Sequence, residues 1–354
     1  MNRTRLFQVL PTGPTLARGR VAVLDRFAHA ERGAVRCPAA GALAEDLGER
    51  LGRGAAVTRG EVVPGTDEGS VTVCVTYLDR DGHAIGLAAA VRTHDYEAID
   101  VVQQTMRSWA AVMRTRRVLV ADAPECASGV CPHRGMAYAS VLDFTHRGDT
   151  VVLIADHRGN ESAAAELASA ARNAGGTAVI VGDPAEAASL KVDPDALSFV
   201  FVPGIRIEAA MPILYALREQ FPRLRGQHPD EYCYAASDLR ESTRSAAEAS
   251  ERLLVVAPSA AEAADVADVA DVHGVPWHHV SDPTDLRPAQ LAASTLGLIS
   301  AGQADSDFGD GAVDSVLDLL AGLGPLSVRR RGVHTEPYPR RDAVTDIASV
   351  SALR

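Results

Sequence analysis

A chain of 354 residues exceeds one simple core and predicts two or three domains. Its formal net charge of −11 leaves no basic face to displace counterions, which excludes nonspecific nucleic-acid binding. No uninterrupted apolar run reaches the length of a membrane span, and residues 1–15 lack the apolar core of a signal peptide. A cytoplasmic protein with no membrane partner is the expectation. Five cysteines, at 37, 74, 126, 131 and 233, are odd in number and scattered, which leaves buried thiols or metal ligands in place of a disulfide scaffold.

Residues 1–36 read as irregular, with a strand at 20–24. Cys37-Pro38 opens an Ala- and Leu-rich helix over 39–51, and a short strand follows at 55–63. The clearest hairpin pairs 71–78 with 84–91 around Asp79-Arg80-Asp81-Gly82, whose glycine supplies a positive φ. A helix over 96–113 carries Ile99, Val102, Met106, Trp109 and Val112 on one stripe. From Arg117 strands and helices alternate: strand 118–121, a loop with Cys126 and Cys131, helix 136–144, strand 151–155, helix 162–173, strands 178–181 and 197–202, and helix 209–220. Beyond Cys233 the order repeats with helix 239–249, strand 253–257, helix 260–272, strands 277–280 and 296–300, and helix 310–320. Such alternation means parallel α/β units.

The two halves of this stretch align. VVLIAD begins twenty residues after Cys131 and LLVVAP begins twenty residues after Cys233. Gly182-Asp183-Pro184 corresponds to Ser281-Asp282-Pro283, and LSFVFVPG to LGLISAG. The repeat of about a hundred residues is a strong signal of architecture. Cys37, heading its own helix, reads as the start of a degraded first copy. The expected fold is α/β, with three pseudo-repeated lobes of short parallel sheets around a central site. The expected boundaries are 1–116, 117–226 and 227–326, with 327–354 as a C-terminal tail. Around Cys233, Ser237 or Asp238 reads as an N-cap with Glu241 completing a capping box, which places the thiol at a helix mouth. Unpaired N–H groups there favour a thiolate, suiting a metal ligand or a reactive thiol, although a cysteine between two tyrosines also reads as core. Cys74, inside VTVCVTY, reads as core.

Cys131-Pro132, Arg147-Gly148, Leu197-Ser198-Phe199, Ala216-Leu217-Arg218, Phe221-Pro222 and Cys233-Tyr234-Ala235 resemble the LytB family, whose members are 4-hydroxy-3-methylbut-2-enyl diphosphate (HMBPP) reductases. The likeness runs from Cys131 to about Leu326 almost without gaps; in the first lobe it rests on Cys37, Arg59 and Glu61-Val62-Val63. The resemblance implies a [4Fe–4S] cluster with one open iron, held by Cys37, Cys131 and Cys233, with Cys126 as the alternative to Cys131. It implies Glu161 as proton donor, His157, Asn160, Ser237 and Ser300 as substrate-binding residues, and ferredoxin or flavodoxin as electron donor to a small-molecule substrate.

Departures from the family pattern are concentrated where it holds the diphosphate. Pro64 stands for a histidine after Glu-Val-Val, and Gly159 for a histidine before Glu161. Val202-Pro203-Gly204-Ile205-Arg206 replaces a threonine-rich stretch, Ala261-Glu262-Ala263 replaces Ser-Ser-Asn, and Ala304 replaces a further serine. A carboxylate where the family binds an anion disfavours that ligand. Three readings follow: an iron–sulfur reductase for a less anionic substrate, a non-catalytic binding or scaffold relative without a cluster, and a genuine HMBPP reductase of isoprenoid biosynthesis.

Overall fold

Strand and helix periodicities sort the chain into two compact units in the computed structural model, which describes residues 5–11, 13–52, 57–61, 69–79, 81–121, 132–156, 160–301, 309–330, 332 and 335. The first unit joins Met1–Asp122 to Ser242–Arg331, and the second joins Ala123–Glu241 to Gly332–Arg354. No described helix is long and apolar enough to cross a membrane.

The first unit contains two sheets. One has six strands: β1 (Leu6–Leu10), β2 (Val21–His29), β3 (Gly33–Arg36), β4 (Val57–Glu61), β5 (Ser70–Leu78) and β6 (Ala84–Arg92), in the order β1-β5-β6-β3-β2-β4. β5 and β6 form the expected hairpin, in register from Ser70 opposite Arg92 to Leu78 opposite Ala84. Helices α1 (Ala40–Leu51) and α2 (Tyr96–Val112) join this sheet's core, α2 burying Val102, Met106, Trp109 and Val112 on the predicted stripe. The buried carboxylate of Asp46 ties the two helices by accepting from Trp109 Nε1 at 2.8 Å, while Arg50 donates to its other oxygen at 2.7 Å. Two expectations change here. Residues 1–36 supply three strands, and the sheet is mixed: only β2–β4 and β3–β6 pair in parallel.

The other sheet is wholly parallel, with β7 (Arg116–Ala121), β12 (Arg252–Val256), β13 (Trp277–Val280), β14 (Thr295–Ser300) and β15 (Leu326–Arg330) in the order β13-β12-β14-β7-β15. β7, which the alternation places at the head of the second lobe, therefore pairs with the strands of the third. β15 occupies the start of the stretch read as a tail. It can do so because helix α9 (Gly309–Ala321) returns the chain to the strand-start edge and Val328 falls into register with Val118. Helix α8 (Ala260–Val272) follows β12.

Arg116 anchors this sheet. Its side chain is among the largest fully buried ones, and its guanidinium donates to the carbonyls of Val112, Leu291 at 3.0 Å, Leu323 at 3.4 Å and Arg114 at 3.4 Å. Burial pushes its pKa down to about 10, with Arg114 adding to the shift. The bonds join the end of α2, the turn Pro288–Leu291 and the α9–β15 turn at the root of β7.

The second unit is built on a four-stranded parallel sheet, β8 (Thr150–Ile154), β9 (Thr177–Val181), β10 (Leu197–Phe201) and β11 (Arg225–Gly226), in the order β11-β10-β8-β9. Alternate side chains enter separate cores. Val152, Ile154, Phe199 and Phe201 pack with α6 (Ile207–Gln220), whereas Val151, Leu153 and Val200 pack with α3 (Pro132–His146) and α4 (Glu161–Asn173). Short helix α5 (Pro184–Ser189) caps itself through Asp183. Several family-like residues serve this frame. Gly148 turns α3 into β8 at φ +84°, Ser198 donates to buried Asp149, and Arg225 pairs with the same carboxylate. A Cβ at Gly226 would come within 2.0 Å of the Phe199 ring, so that position admits only glycine.

Arg116→Met is expected to lower unfolding free energy by about 3 kcal/mol, because four side-chain bonds to backbone carbonyls are lost together. Arg116→Lys recovers only part of it, since one ammonium cannot span the four acceptors. Urea titration followed by tryptophan fluorescence reads both.

Candidate functional site

In open parallel sheets ligands gather where the strands finish. In the second unit that edge carries Asn160 and Glu161. Asn160 is buried, at 6% exposure, and its amide is spent on the backbone: Oδ1 accepts from Asp156 N at 2.9 Å and Nδ2 donates to the Val202 carbonyl at 3.4 Å. It latches the β8–α4 crossover to the loop after β10. Glu161 is the first residue of α4, is exposed, and has no hydrogen-bond or ion-pair partner among the described residues. A cavity of about 530 Å³ runs between α3 and α4, walled by Arg134, Tyr138, Ser162, Glu166, Asn173 and Pro203, and Glu161 is not among its lining residues. Arg134 Nη2 bridges to both oxygens of Glu166, at 3.2 and 3.1 Å.

Cys233 lies at the mouth of helix α7 (Ala235–Glu248), at 5% exposure. The chain reaches it through the turn Pro229–Glu231 and Tyr232, whose ring sits 4.5 Å from that of Phe201 and whose hydroxyl donates to the Gln227 carbonyl at 3.4 Å. Gln227, buried at 5%, accepts from Phe201 N through Oε1 at 2.9 Å. The helix starts at Ala235, earlier than the expected Ser237 or Asp238 cap. The thiol is thus two residues from the first helical N–H groups, where positive potential favours a thiolate. Ser237, freed from capping its own helix, caps another. Its Oγ accepts from Ile207 N at 3.0 Å and donates to Glu208 Oε2 at 2.7 Å, closing the mouth of α6. Asp238 instead accepts from the N–H and hydroxyl of Thr335, at 2.8 and 2.7 Å.

In the first unit the strand-finish edge holds Ser300 at the end of β14, opposite Val256, with Ala301 N donating to the Val256 carbonyl at 2.9 Å. Next to it α8 begins with a closed box. Ser259 Oγ accepts from Glu262 N at 3.2 Å and donates to Glu262 Oε1 at 3.1 Å. Glu262 therefore occupies the helix mouth with its own carboxylate.

Cys37 is elsewhere. It is 2% exposed, three residues before α1, and its N–H donates to the Asp25 carbonyl at 2.9 Å. Burial, reinforced by Asp25 and then Cys74, pushes its thiol well above the ordinary range. Cys74 is fully buried in β5 as expected, with its thiol pushed up to about 12 by burial. Arg59 pairs with Asp25 at 2.5 Å. His157, Cys126 and Cys131 lie outside the described residues, as do Val62, Val63, Pro64, Gly159 and Ala304. Among the described residues, three possible metal-ligating side chains meet at Asp79, Asp81 and His83. There Asp79 Oδ1 accepts from the N–H groups of Asp81 and His83, so the cluster is the polar turn of the β5–β6 hairpin.

The structure brings Asn160 and Glu161 to one edge, gives Asn160 and Ser237 framework bonds, and leaves Glu161 unspent. Gln227 escaped sequence reasoning because no local pattern marks it. Ser259 could have been found, since Ser-x-x-Glu before an apolar run spells the box. Ser237→Ala is expected to cost about 1 kcal/mol of stability through the lost α6 cap, and Asn160→Ala about 1 kcal/mol or more through the loss of both side-chain bonds to the backbone. Thermal unfolding followed by circular dichroism checks both.

Residues 85–317 match the family model described as LytB protein. Over 216 residues the chain is 28% identical to "4-hydroxy-3-methylbut-2-enyl diphosphate reductase 2" of Mycobacterium bovis, covering 60% of this chain and 63% of that one. It is 27% identical to the reductase of that name from Chromohalobacter salexigens over 197 residues, covering 55% of this chain and 61% of that one. The chain thus spans less than two thirds of the length of these curated relatives. A solved "E-1-hydroxy-2-methyl-but-2-enyl-4-diphosphate reductase" from Plasmodium falciparum superposes on 63% of this chain and 74% of its own, with a TM-score of 0.46 at 15% identity. The match to the family model covers Cys126, Cys131, Glu161 and Cys233 but begins after Cys37, Arg59 and Glu61. By that match, which takes in well over half of its length, the chain belongs to the LytB family.

Proposed function

We propose that this chain is a diverged LytB-family oxidoreductase acting on a small molecule less anionic than the diphosphate for which its curated relatives are named. The observation that carries the reading is the contrast between two strand-finish edges. Glu161 offers a carboxyl group with no partner among the described residues at the start of α4, whereas the mouth of α8 is closed by Glu262. A phosphate group at that mouth would meet a like charge held in place by Ser259.

The cofactor that the family resemblance implies is a [4Fe–4S] cluster. Cys233 fits as a ligand, since it sits at a helix mouth, and Cys37 does not, since it is turned into a core. The matched region keeps three cysteines, so Cys233 would hold the cluster together with Cys126 and Cys131, and the cluster would supply electrons one at a time. An external donor of the ferredoxin or flavodoxin type would feed it. The chain's own residues do the rest. Glu161 would pass a proton to the departing hydroxyl oxygen, which leaves as water as the C–O bond breaks, while two electrons from the external donor and a second proton from solvent complete the new C–H bond. Asn160 fixes the crossover that aims Glu161, and Ser237 fixes the start of α6 against α7, the helix that carries Cys233.

A second reading is favoured by the same closed mouth and by the buried Cys37: a LytB-shaped binding protein that holds no cluster and turns nothing over. Anaerobic purification with an iron and sulfide count and a visible spectrum separates the two. The oxidoreductase reading expects a brown protein with close to four irons, lost in Cys233→Ser. It also expects dithionite-driven dehydroxylation of uncharged allylic alcohols that falls about 100-fold in Glu161→Gln. A colourless protein without iron after reconstitution leaves the binding reading. Rapid consumption of HMBPP would contradict both.

A further inference from the structure

We infer that the six-stranded sheet of residues 6–92 is a brace added to the LytB module, standing where the sequence leads one to expect the first of three like lobes, and that Cys37 is a core residue of that brace with no place in a metal site. This does not depend on whether the protein is an oxidoreductase.

Four observations within the first unit point the same way. The family match starts at residue 85, inside β6, so nearly all of this sheet lies outside it. The sheet does not repeat the other two, because it is mixed and contains the antiparallel β5–β6 hairpin. Where family-like positions put a strand ahead of the ligand loop, this chain already has one. β7 leads into the segment containing Cys126 and Cys131, and it sits between β14 and β15 in the parallel sheet.

The fourth observation is the position of Cys37 itself. The residues after it, Pro38 and Ala39, lean on Gly322 in the turn between α9 and β15; a Cβ there would come within 3.0 Å of Ala39 N and 3.2 Å of the Pro38 side chain. That turn is at the strand-start edge, because the next residue, Leu323, accepts from Arg114 N at 3.0 Å, and Pro325 accepts from Arg116 N at 2.9 Å. Ser300, the candidate ligand-contacting residue of the same unit, lies beyond the far end of β7: Ile299 pairs with Ala121. A strand length of roughly 15–20 Å therefore separates Cys37 from that edge. Tyr77, on β5, donates to the Ala321 carbonyl at the same strand-start turn. These two contacts meet the strand-start turn, and Glu49 of α1 adds an ion pair at 2.6 Å with Arg287, in the segment that follows β13.

The chemistry matches the geometry. A cluster ligand must present its sulfur to an opening, whereas Cys37 shares one continuous core with Val23, Leu43, Cys74, Leu87, Leu320 and Leu323. As a small apolar residue it needs no partner.

Two readouts on the full-length protein test this. In native wild-type protein, Cys37 is expected to react with iodoacetamide at least 100-fold more slowly than in the urea-unfolded chain, by mass spectrometry of its peptide. In anaerobically purified Cys37→Ala, bound iron per chain and the visible spectrum are expected to equal those of the wild type. If the wild type binds no iron, the oxidoreductase reading fails while the alkylation rate still decides the placement of Cys37. Native alkylation at the unfolded rate would overturn the inference. So would loss of iron in a Cys37→Ala protein whose Tm stays within a few degrees of the wild type; Cys37→Val, which keeps the buried volume, guards against misfolding as the cause.

Discussion

The first unit depends on one buried cation. Among the described residues Arg116 has no carboxylate partner. It is stabilised by four carbonyls that close the ends of α2, a connecting turn and the α9–β15 turn. A guanidinium suits this job because its donors fan out in a plane and can serve several acceptors at once, and because it remains charged even with its pKa pushed down to about 10. The result fixes where β7 begins. Since β7 lies in the interior of a five-stranded parallel sheet, the register of β14 and β15 follows from it. The same root sets the direction in which β7 sends the chain toward Cys126 and Cys131.

From that root the two ends of the parallel sheets divide the labour. Strand-start edges are given to structure: Arg116 and the Gly322 turn in one unit, and Asp149 with Ser198 and Arg225 in the other. Strand-finish edges carry the groups that can do chemistry, with Glu161 in the second unit and Ser300 in the first. Polar groups there that could have met a ligand have mostly been turned inward. Asn160 and Ser237 satisfy backbone N–H and carbonyl groups, and Ser259 satisfies Glu262. Each bond makes the edge more rigid and less able to hold an anion.

Local order was largely legible in the sequence, and long-range pairing was not. The stripe of Val102, Met106, Trp109 and Val112 and the Asp79–Gly82 turn name their elements because the signal lies within a few residues. The repeat placed β8, β10, β12 and β14 as parallel strands. Which sheet β7 joins depends instead on pairing with Thr295–Ile299, nearly two hundred residues away, and alternation along the chain carries no information about that choice. The first strand was hidden for another reason: Pro11 and Pro14 follow it closely, and it is held by β5, beyond residue 70. The place of Glu161 at a strand-to-helix crossover was legible, since it begins α4. The framework role of Asn160 was not, since its partner Val202 is supplied by a different loop. The burial of Cys37 was not legible, because a cysteine before a helix looks the same in sequence whether its sulfur faces a cavity or a core.

The account turns on the closed mouth of α8, and direct binding of an anion tests it most plainly. Isothermal titration of inorganic diphosphate into the wild type and into Glu262→Ser is the measurement. No saturable binding by the wild type up to millimolar ligand, with measurable binding gained in the variant, is the predicted result. Micromolar binding by the wild type, unchanged or weakened in Glu262→Ser, would contradict it.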